Sequence, residues 1–132
     1  MIQWVVIGVL RNRDEEVLIA KRPEGKGLAG FWEFPGGKIE FGETPEVALC
    51  RELNEELGIE VDPEDVSPLT FLSTQIKDPP TVVLAFDVKK WRNTPQCLEH
   101  QDLIWMMPEA LRGENLIPTN FRVVDILTTS RS

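Results

Sequence analysis

Short runs of apolar residues, separated by charged or turn-forming segments, occupy the first part of the chain and predict β-strands. Residues 3–10 are rich in β-branched and aromatic side chains, and the charged segment RNRDEE separates them from a second apolar run at residues 17–22. Residues 31–34 predict a short third strand, which ends at the PGG break of residues 35–37. Because a short turn joins the first two runs, we expect these two strands to pair with each other.

A helical pattern covers residues 45–57. Thr44 is a suitable N-cap, Pro45 suits the first helical position, and Gly58 stands where a left-handed C-terminal cap is expected. The apolar residues of the segment recur at helical spacing and predict the stripe that buries the helix, namely Val47, Cys50, Leu53 and Leu57. The opposite, acidic face is therefore expected to point outward.

The second half of the chain predicts a hairpin and a closing helix. Two β-rich runs, at residues 69–76 and 81–88, flank the segment KDPP. A polar loop, a short strand and one helical turn follow, and a final helix is expected to begin at Thr119 or Asn120. This order of elements predicts an α/β fold with a mixed β-sheet between helices.

Charge and cysteine content narrow the classes of function. The formal net charge is −8, whereas proteins that hold duplex nucleic acid usually carry a basic stripe, so no nucleic acid polymer is expected as a partner. The apolar start of the chain is too short to span a bilayer, and no membrane or obligate protein partner is inferred. Cys50 and Cys97 show no zinc or disulfide spacing, and the single histidine, His100, reads as a loop residue. A reducing, cytoplasmic setting fits these features.

Three glutamates of the predicted helix are candidates for metal binding. Glu52, Glu55 and Glu56 stand at positions i, i+3 and i+4 and therefore share one helix face. Like charges at this spacing destabilise a helix, so the arrangement favours a cation that neutralises them. Oxygen ligands without histidine or cysteine are typical of Mg²⁺, for which Mn²⁺ can substitute, and the Gly36 carbonyl is a further candidate ligand. The alternative is a solvated acidic face.

The acidic helix belongs to a longer pattern. Its positions match those of the Nudix box throughout: Gly37, Glu43, Arg51-Glu52-Leu53, Glu55-Glu56 and Gly58-Ile59. The chain thus resembles the Nudix hydrolases, and the resemblance implies one α/β/α sandwich domain over residues 1–132 that hydrolyses a nucleoside diphosphate linked to another group, with carboxylate-bound metal. In the family pattern Arg51 braces a glutamate and pairs with Glu43, while a carboxylate accepts the proton of the attacking water. The residues leave open which carboxylate that is.

Three further stretches resemble the MutT-like members of the family. They are Lys21-Arg22, the segment WEFPGGK at residues 32–38, and Pro118-Thr119-Asn120. By this resemblance Arg22 contacts a substrate phosphate, Glu33, Phe34 and Lys38 belong to the substrate site, and Glu99 adds a metal-binding carboxylate. The alternatives are an ordinary strand-edge charge for Arg22 and a solvated loop carboxylate for Glu99.

Asn120 is the candidate for base selection. Guanine has an acceptor at N7, whereas 8-oxoguanine carries hydrogen there, so one carboxamide can accept from N7 and donate to O6. We therefore expect a nucleoside triphosphate as the substrate, with preferred hydrolysis of 8-oxo-dGTP to 8-oxo-dGMP and pyrophosphate. The alternative role for Asn120 is that of a helix N-cap.

Two other functions remain open. The stretch Glu99-His100-Gln101, with the LIW run at residues 103–105, also resembles Nudix enzymes that act on CTP, dCTP or methylated cytidine triphosphates. Such an enzyme would share every metal ligand. A non-catalytic lesion-binding module is less expected, because it should have lost carboxylates of the box.

Overall fold

The computed structural model describes residues 1–74 and 79–129. Within them the elements are β1 (Gln3–Leu10), β2 (Val17–Lys21), β3 (Trp32–Glu33), β4 (Gly36–Lys38), α1 (Pro45–Leu57), β5 (Val66–Thr74), β6 (Thr81–Val88), β7 (Asp102–Met106) and α2 (Asn120–Thr129). Short 3₁₀ helices lie at Pro63–Asp65 and Pro108–Gly113. The hairpin of β5 and β6 is confirmed, while the part of its predicted connection at residues 75–78 lies outside the described residues.

The described strands form two sheets. The first has the order β4-β1-β6-β5, in which β1 is parallel to β6 and the other pairs are antiparallel. The second has the order β3-β2-β7 and is antiparallel. The expected pairing of β1 with β2 is wrong: a bridge between Arg11 and Val17 joins them, but the strands belong to different sheets. Both are buried along most of their length, so contacts on both faces, which the turn between them does not encode, select their partners.

The side chains of β1 alternate between two core clusters. Val6 and Leu10 belong to the cluster that contains the buried leucines of α1, whereas Ile7 and Val9 belong to the cluster that contains the buried residues of α2. Since successive side chains of a strand point to opposite faces, α1 and α2 cover opposite sides of the first sheet. The α/β/α architecture is therefore confirmed, with a mixed sheet between the helices and a second, smaller sheet beside it.

Helix α1 has the predicted ends. Thr44 Oγ1 accepts a hydrogen bond from Val47 N at 3.2 Å, which satisfies one of the free amides of the first turn. Gly58 ends the helix in the left-handed conformation, with φ of 70°, and its N–H donates to Asn54 O. Residues 45–57 therefore form the predicted helix for the predicted local reasons.

The buried face of α1 differs from the prediction. Its members are Ala48, Leu49, Leu53, Glu56 and Leu57. Val47, by contrast, is 43% exposed and Cys50 is only half-buried. Because Leu49 and Glu56 are seven residues apart, about two turns, they lie on the same face. The expectation that all three helix carboxylates point outward is therefore wrong for Glu56, which is 5% exposed.

Helix α2 starts within the predicted range and closes the other side of the molecule. It buries Val123, Val124 and Leu127 against the first sheet and the 3₁₀ segment before it. No helix among the described residues is long and apolar enough to cross a bilayer.

Candidate active site

A cleft of about 450 Å³ opens between the two sheets and α1. Its lining includes four carboxylates, an imidazole, three cations and the backbone of β4, contributed by Glu33, Glu52, Glu56, Glu99, His100, Arg22, Lys26, Lys38, Gly36 and Gly37, with Phe34 among the apolar residues. Most residues predicted for the site thus lie together. Among the described residues predicted for it, those outside the lining are Glu43, Arg51, Glu55 and Asn120.

Two glycines allow β4 to lie close to β1 and to α1. Gly36 and Gly37 lie opposite Ile7 and Val6 of β1. A Cβ at Gly36 would overlap the backbone of β1, and a Cβ at Gly37 would overlap the Glu52 carboxylate. Glycine is therefore required at position 36, where the obstacle is backbone, whereas a methyl at position 37 would displace the Glu52 carboxylate, which lies directly over the backbone of β4.

Arg51 fixes the position of Glu52. Its guanidinium donates to both oxygens of Glu43, from Nε to Oε2 at 2.6 Å and from Nη2 to Oε1 at 2.9 Å, and Nη1 donates to Glu52 Oε1 at 2.9 Å. Nη2 also donates to the Lys38 carbonyl at 3.1 Å, which connects α1 to β4. The hydrogen bonds from Arg51 lower the pKa of Glu43 to about 2. The Arg51–Glu43 pair that the resemblance implied is present in the structure.

Glu56 is a buried carboxyl without a protein partner for one of its oxygens. Its Oε1 is removed from solvent and has no hydrogen-bond partner among the described residues. Burial, followed by the effect of the adjacent Glu52, raises the pKa of Glu56 from 4.5 to about 9. A nearby cation would reverse this effect by favouring the charged carboxylate.

The other two candidate metal carboxylates are more exposed. Glu55 is 49% exposed and interacts with Arg51 Nη1 at 3.4 Å, on the outer side of the helix. Glu99 is exposed in the loop before β7 but lines the cleft. The structure thus separates the three helix glutamates into a buried one, a partly buried one and an exposed one.

Glu33 joins two cleft residues. Its Oε1 accepts from Arg22 Nη1 at 3.0 Å, and its Oε2 lies 3.0 Å from His100 Nε2. Arg22 is held further by a hydrogen bond from Nε to Gly27 O at 2.7 Å. Both oxygens of Glu33, predicted as a substrate-binding residue, therefore have protein partners, and both partners line the cleft.

His100 is the site residue that sequence reasoning missed. It lies in a loop, as predicted, but its side chain is 6% exposed and contacts carboxylates of two different elements. The available signal was its position next to Glu99, a predicted metal ligand, in a chain with one histidine. The contact with Glu33 spans 67 residues, and no local pattern indicates it.

Asn120 is buried, but its amide oxygen has another partner. Oδ1 accepts from Phe34 N at 2.8 Å, and Nδ2 lies 3.4 Å from Thr119 Oγ1. The side chain therefore connects the start of α2 to the segment between β3 and β4. Base selection by Asn120 stays a prediction, and in this conformation Nδ2 is the group with the weaker protein contact.

The donor set fits a divalent ion that is bound only partly by the protein. Among the described residues, no group of three or more His, Cys, Asp or Glu side chains is arranged to hold a metal ion. However, the buried Glu56 Oε1 without a partner lies in a cleft that Glu52 and the backbone of Gly36 also line. Mg²⁺ commonly takes one or two carboxylates and completes its shell with water and substrate phosphates.

A larger cleft, of about 520 Å³, lies elsewhere on the surface. Its charged lining is mainly basic and consists of Arg11, Arg13, Lys89 and Lys90, with Glu15 as the carboxylate. It shares no lining residue with the first cleft. Because it lacks a carboxylate pair, its chemistry does not suit the predicted cation, and the smaller cleft is the candidate active site.

Comparison with known proteins shows the family of the chain. A model of the NUDIX domain matches residues 1–125. The 8-oxo-dGTP diphosphatase of Escherichia coli K12 is 36% identical over 120 residues, which are 91% of this chain and 92% of that protein. The CTP pyrophosphohydrolase of the same organism is 32% identical over 130 residues, which are 96% of this chain and 93% of that protein.

A solved structure from work on MutT of Aliivibrio salmonicida and Vibrio cholerae superposes with a TM-score of 0.84 at 32% identity, covering 98% of this chain and 99% of that one. The family model and this structural match each cover nearly the whole chain, and the box lies within both. The chain therefore belongs to the Nudix hydrolase family.

Proposed function

We propose that the chain is a Mg²⁺-dependent nucleoside triphosphate pyrophosphohydrolase that converts 8-oxo-dGTP to 8-oxo-dGMP and pyrophosphate. This activity would keep oxidised guanine out of newly made DNA. The observation that supports it most is the buried Glu56 carboxyl, with its partnerless oxygen, beside Glu52 in a cleft that also holds cations. Such a site suits a divalent cation and an anionic substrate together.

The basic residues of the cleft bind and orient the phosphates in this proposal. Arg22, Lys26 and Lys38 line the same cavity as the carboxylates. Arg22 is held by Glu33 and Gly27 O, so little side-chain freedom is lost when it contacts a phosphate. Because the whole chain carries a net charge of −8, these cations provide local attraction for a polyphosphate.

The carboxylates hold the metal and receive the proton. Glu52 and Glu56 are the proposed central ligands, with Glu55, Glu99 and the Gly36 carbonyl as additional ones. When bound, Mg²⁺ neutralises negative charge on the phosphate oxygens, and Mn²⁺ can replace it. Arg51, through Glu43 and Lys38 O, keeps the Glu52 carboxylate over β4. A carboxylate of this group accepts the proton of the attacking water.

The position of water attack can be measured directly. We expect attack at the β-phosphorus, which yields the nucleoside monophosphate and pyrophosphate. Hydrolysis in ¹⁸O-labelled water, followed by mass spectrometry, should place the label in pyrophosphate. Label in the monophosphate would contradict this route.

The preferred base is the finer part of the proposal. An E. coli relative named 8-oxo-dGTP diphosphatase supports oxidised guanine, whereas one named CTP pyrophosphohydrolase makes cytidine nucleotides the second candidate. Measured kcat/KM values for 8-oxo-dGTP, dGTP, CTP, dCTP and methyl-dCTP, with Mg²⁺, decide between them. A higher value for a cytidine nucleotide would select the second candidate. Binding of 8-oxo-dGTP without turnover of any nucleotide would instead favour a lesion-binding module.

A further inference from the structure

The imidazole of His100 lies between carboxylates of two different elements. Its Nε2 is 3.0 Å from Glu33 Oε2, a hydrogen-bond distance, and its Nδ1 is 3.8 Å from Glu56 Oε1. The side chains of His100 and Glu56 are each 6% exposed. The ring thus connects β3, whose Glu33 binds Arg22, to α1, which carries the proposed metal ligands.

The Nδ1 and Oε1 atoms form an unusual pair. Both are buried, and neither has a hydrogen-bond partner among the described residues. Buried polar atoms are nearly always hydrogen-bonded. The distance between Nδ1 and Oε1, however, exceeds the usual length of a hydrogen bond by about 1 Å. A small movement of Glu56 would satisfy both if one of the two atoms carries a proton, and a water that donates to each would satisfy both if neither does. The geometry is therefore that of a contact that a small rearrangement of the cleft would complete.

The other side of the ring is already fixed. Glu33 accepts from Arg22 Nη1 at 3.0 Å through the oxygen that His100 does not contact. A chain of contacts therefore runs from Arg22 through Glu33 and His100 toward Glu56. Loss of the Nε2 contact would free the Glu33 carboxylate, and with it the orientation of the Arg22 guanidinium.

We propose that His100 is a positioning residue of this active site, which orients Glu56 through Nδ1 and Arg22 through the Glu33 carboxylate. The role assigned to each contact depends on the proposed hydrolysis, because Glu56 serves the chemical step there and Arg22 binds the phosphates. The Nδ1 contact should therefore affect kcat, and the Nε2 contact should affect KM.

Two isosteric variants separate the contacts. In His100→Gln the amide nitrogen can replace Nε2 and keep the Glu33 contact, whereas in His100→Asn the carboxamide can replace Nδ1. We expect His100→Gln to lower kcat about tenfold at nearly constant KM, and His100→Asn to raise KM by about the same factor at nearly constant kcat, as for one hydrogen bond each. Gln101→Ala, at an exposed neighbour outside the cleft lining, is the matched control and should leave both parameters unchanged. Equal effects of the Gln and Asn variants, large or absent, would overturn the assignment.

A second measurement does not depend on turnover. Because His100 is the only histidine, its two ring nitrogens give unambiguous ¹⁵N signals in the intact protein. Mg²⁺ added without nucleotide should shift the Nδ1 signal more than the Nε2 signal, and Glu56→Gln should remove that difference. An unchanged Nδ1 signal would overturn the His100–Glu56 contact. Absence of nucleotide hydrolysis by the wild-type protein would refute the proposed function, and the ¹⁵N result would still decide about the contact.

Discussion

Glu56 stands at a helix position that the packing of α1 buries. It shares the buried face of α1 with Leu49 and Leu53. A bare charge at such a position is costly, so the carboxyl must either hold a proton or meet a cation. Since burial raises its pKa to about 9, the metal-free protein keeps Glu56 protonated at neutral pH. A cation that binds there must displace this proton.

The metal-free protein should lose stability as the pH rises above 4.5. Because the pKa of Glu56 is about 9 in the folded state against 4.5 ordinarily, folding favours the protonated form. The stabilisation is complete below pH 4.5, decreases as pH rises, and is lost once pH passes 9. Urea denaturation in chelator at pH 5, 7 and 9 measures it, and the Glu56→Gln variant should lack this component. The same pH dependence in both proteins would contradict the prediction.

The helix glutamates should differ in their effect on catalysis. We expect Glu56→Gln to lower kcat by about 10³-fold, since a buried charge aimed into the site is removed. Glu55→Gln should cost less, because Glu55 is half-exposed and lies outside the cleft lining. Steady-state kinetics with Mg²⁺ and 8-oxo-dGTP test the order, and a larger loss for Glu55→Gln would reverse it.

Asn120 can be tested for both of its roles. Asn120→Ala leaves the buried Phe34 N–H without its acceptor, so the free energy of unfolding should fall by about 1–3 kcal/mol. If Asn120 also reads the base, the ratio of kcat/KM for 8-oxo-dGTP over dGTP should shrink as well. Chemical denaturation and paired kinetics separate the two roles. A stability loss with an unchanged ratio would leave Asn120 a purely structural residue.

Among the elements, the contact of α1 with β4 sets the geometry of the site. The short strand carries no side chain at Gly36 or Gly37, and Arg51 ties the helix to the Lys38 carbonyl. The position of Glu52 therefore depends on backbone packing as well as on its own side-chain bonds. The strand therefore contributes to the proposed metal site through its backbone, as the helix does through its carboxylates.

Gly37→Ala should impair the site more than it impairs the fold. The added methyl would overlap the Glu52 carboxylate and displace it from β4. We expect kcat to fall about tenfold or more, with the far-ultraviolet circular dichroism spectrum unchanged, because small misplacements of site groups have large kinetic effects. Gly113→Ala is the control, since a methyl there meets no atom within 4 Å. Wild-type kinetics in Gly37→Ala would rule out this role for the glycine.

Features set by neighbouring residues could be predicted from the sequence, whereas features set by contacts between distant residues could not. The ends of α1 followed from Thr44 and Gly58, because caps involve neighbouring residues. The burial of Glu56 was missed because overlapping apolar stripes fit the same helix, and only packing selects between them. The approach of His100 to Glu33 joins residues far apart in the chain, as does the pairing of β1 with β6. Spacing along one sequence does not encode such contacts.

At the scale of the whole molecule, β1 is shared by two cores with different tasks. The side containing Val6 packs against α1, the helix that carries the proposed metal ligands, whereas the side containing Val9 faces α2 and contributes Ile7 to the cleft lining. Damage on either side should destabilise the fold, but only the first side packs against the helix that carries Glu52 and Glu56.

Alanine substitutions at these two valines test that division. Val6 and Val9 are both fully buried, so each Val→Ala change should lower the free energy of unfolding by a similar amount, about 2 kcal/mol. Val6→Ala should also weaken Mg²⁺-dependent activity, whereas Val9→Ala should retain it at temperatures where both remain folded. Thermal denaturation and kinetics on the pair provide the comparison, and equal activity losses would argue against separate tasks.

The absence of a side chain at Gly8 has a consequence for how the strand is aligned. A methyl at this position would already stand 3.3 Å from Leu49 Cδ1, so the larger groups of Ile7 or Val9 would fit on this side only if the leucine side chains moved. A one-residue slip of β1 would force one of them into that space, since every side chain would change faces. Gly8 thus favours one register of β1 over its one-residue neighbours. Because β4 pairs with β1, the register of β1 also determines where Gly36 and Gly37 lie beneath the proposed metal ligand Glu52.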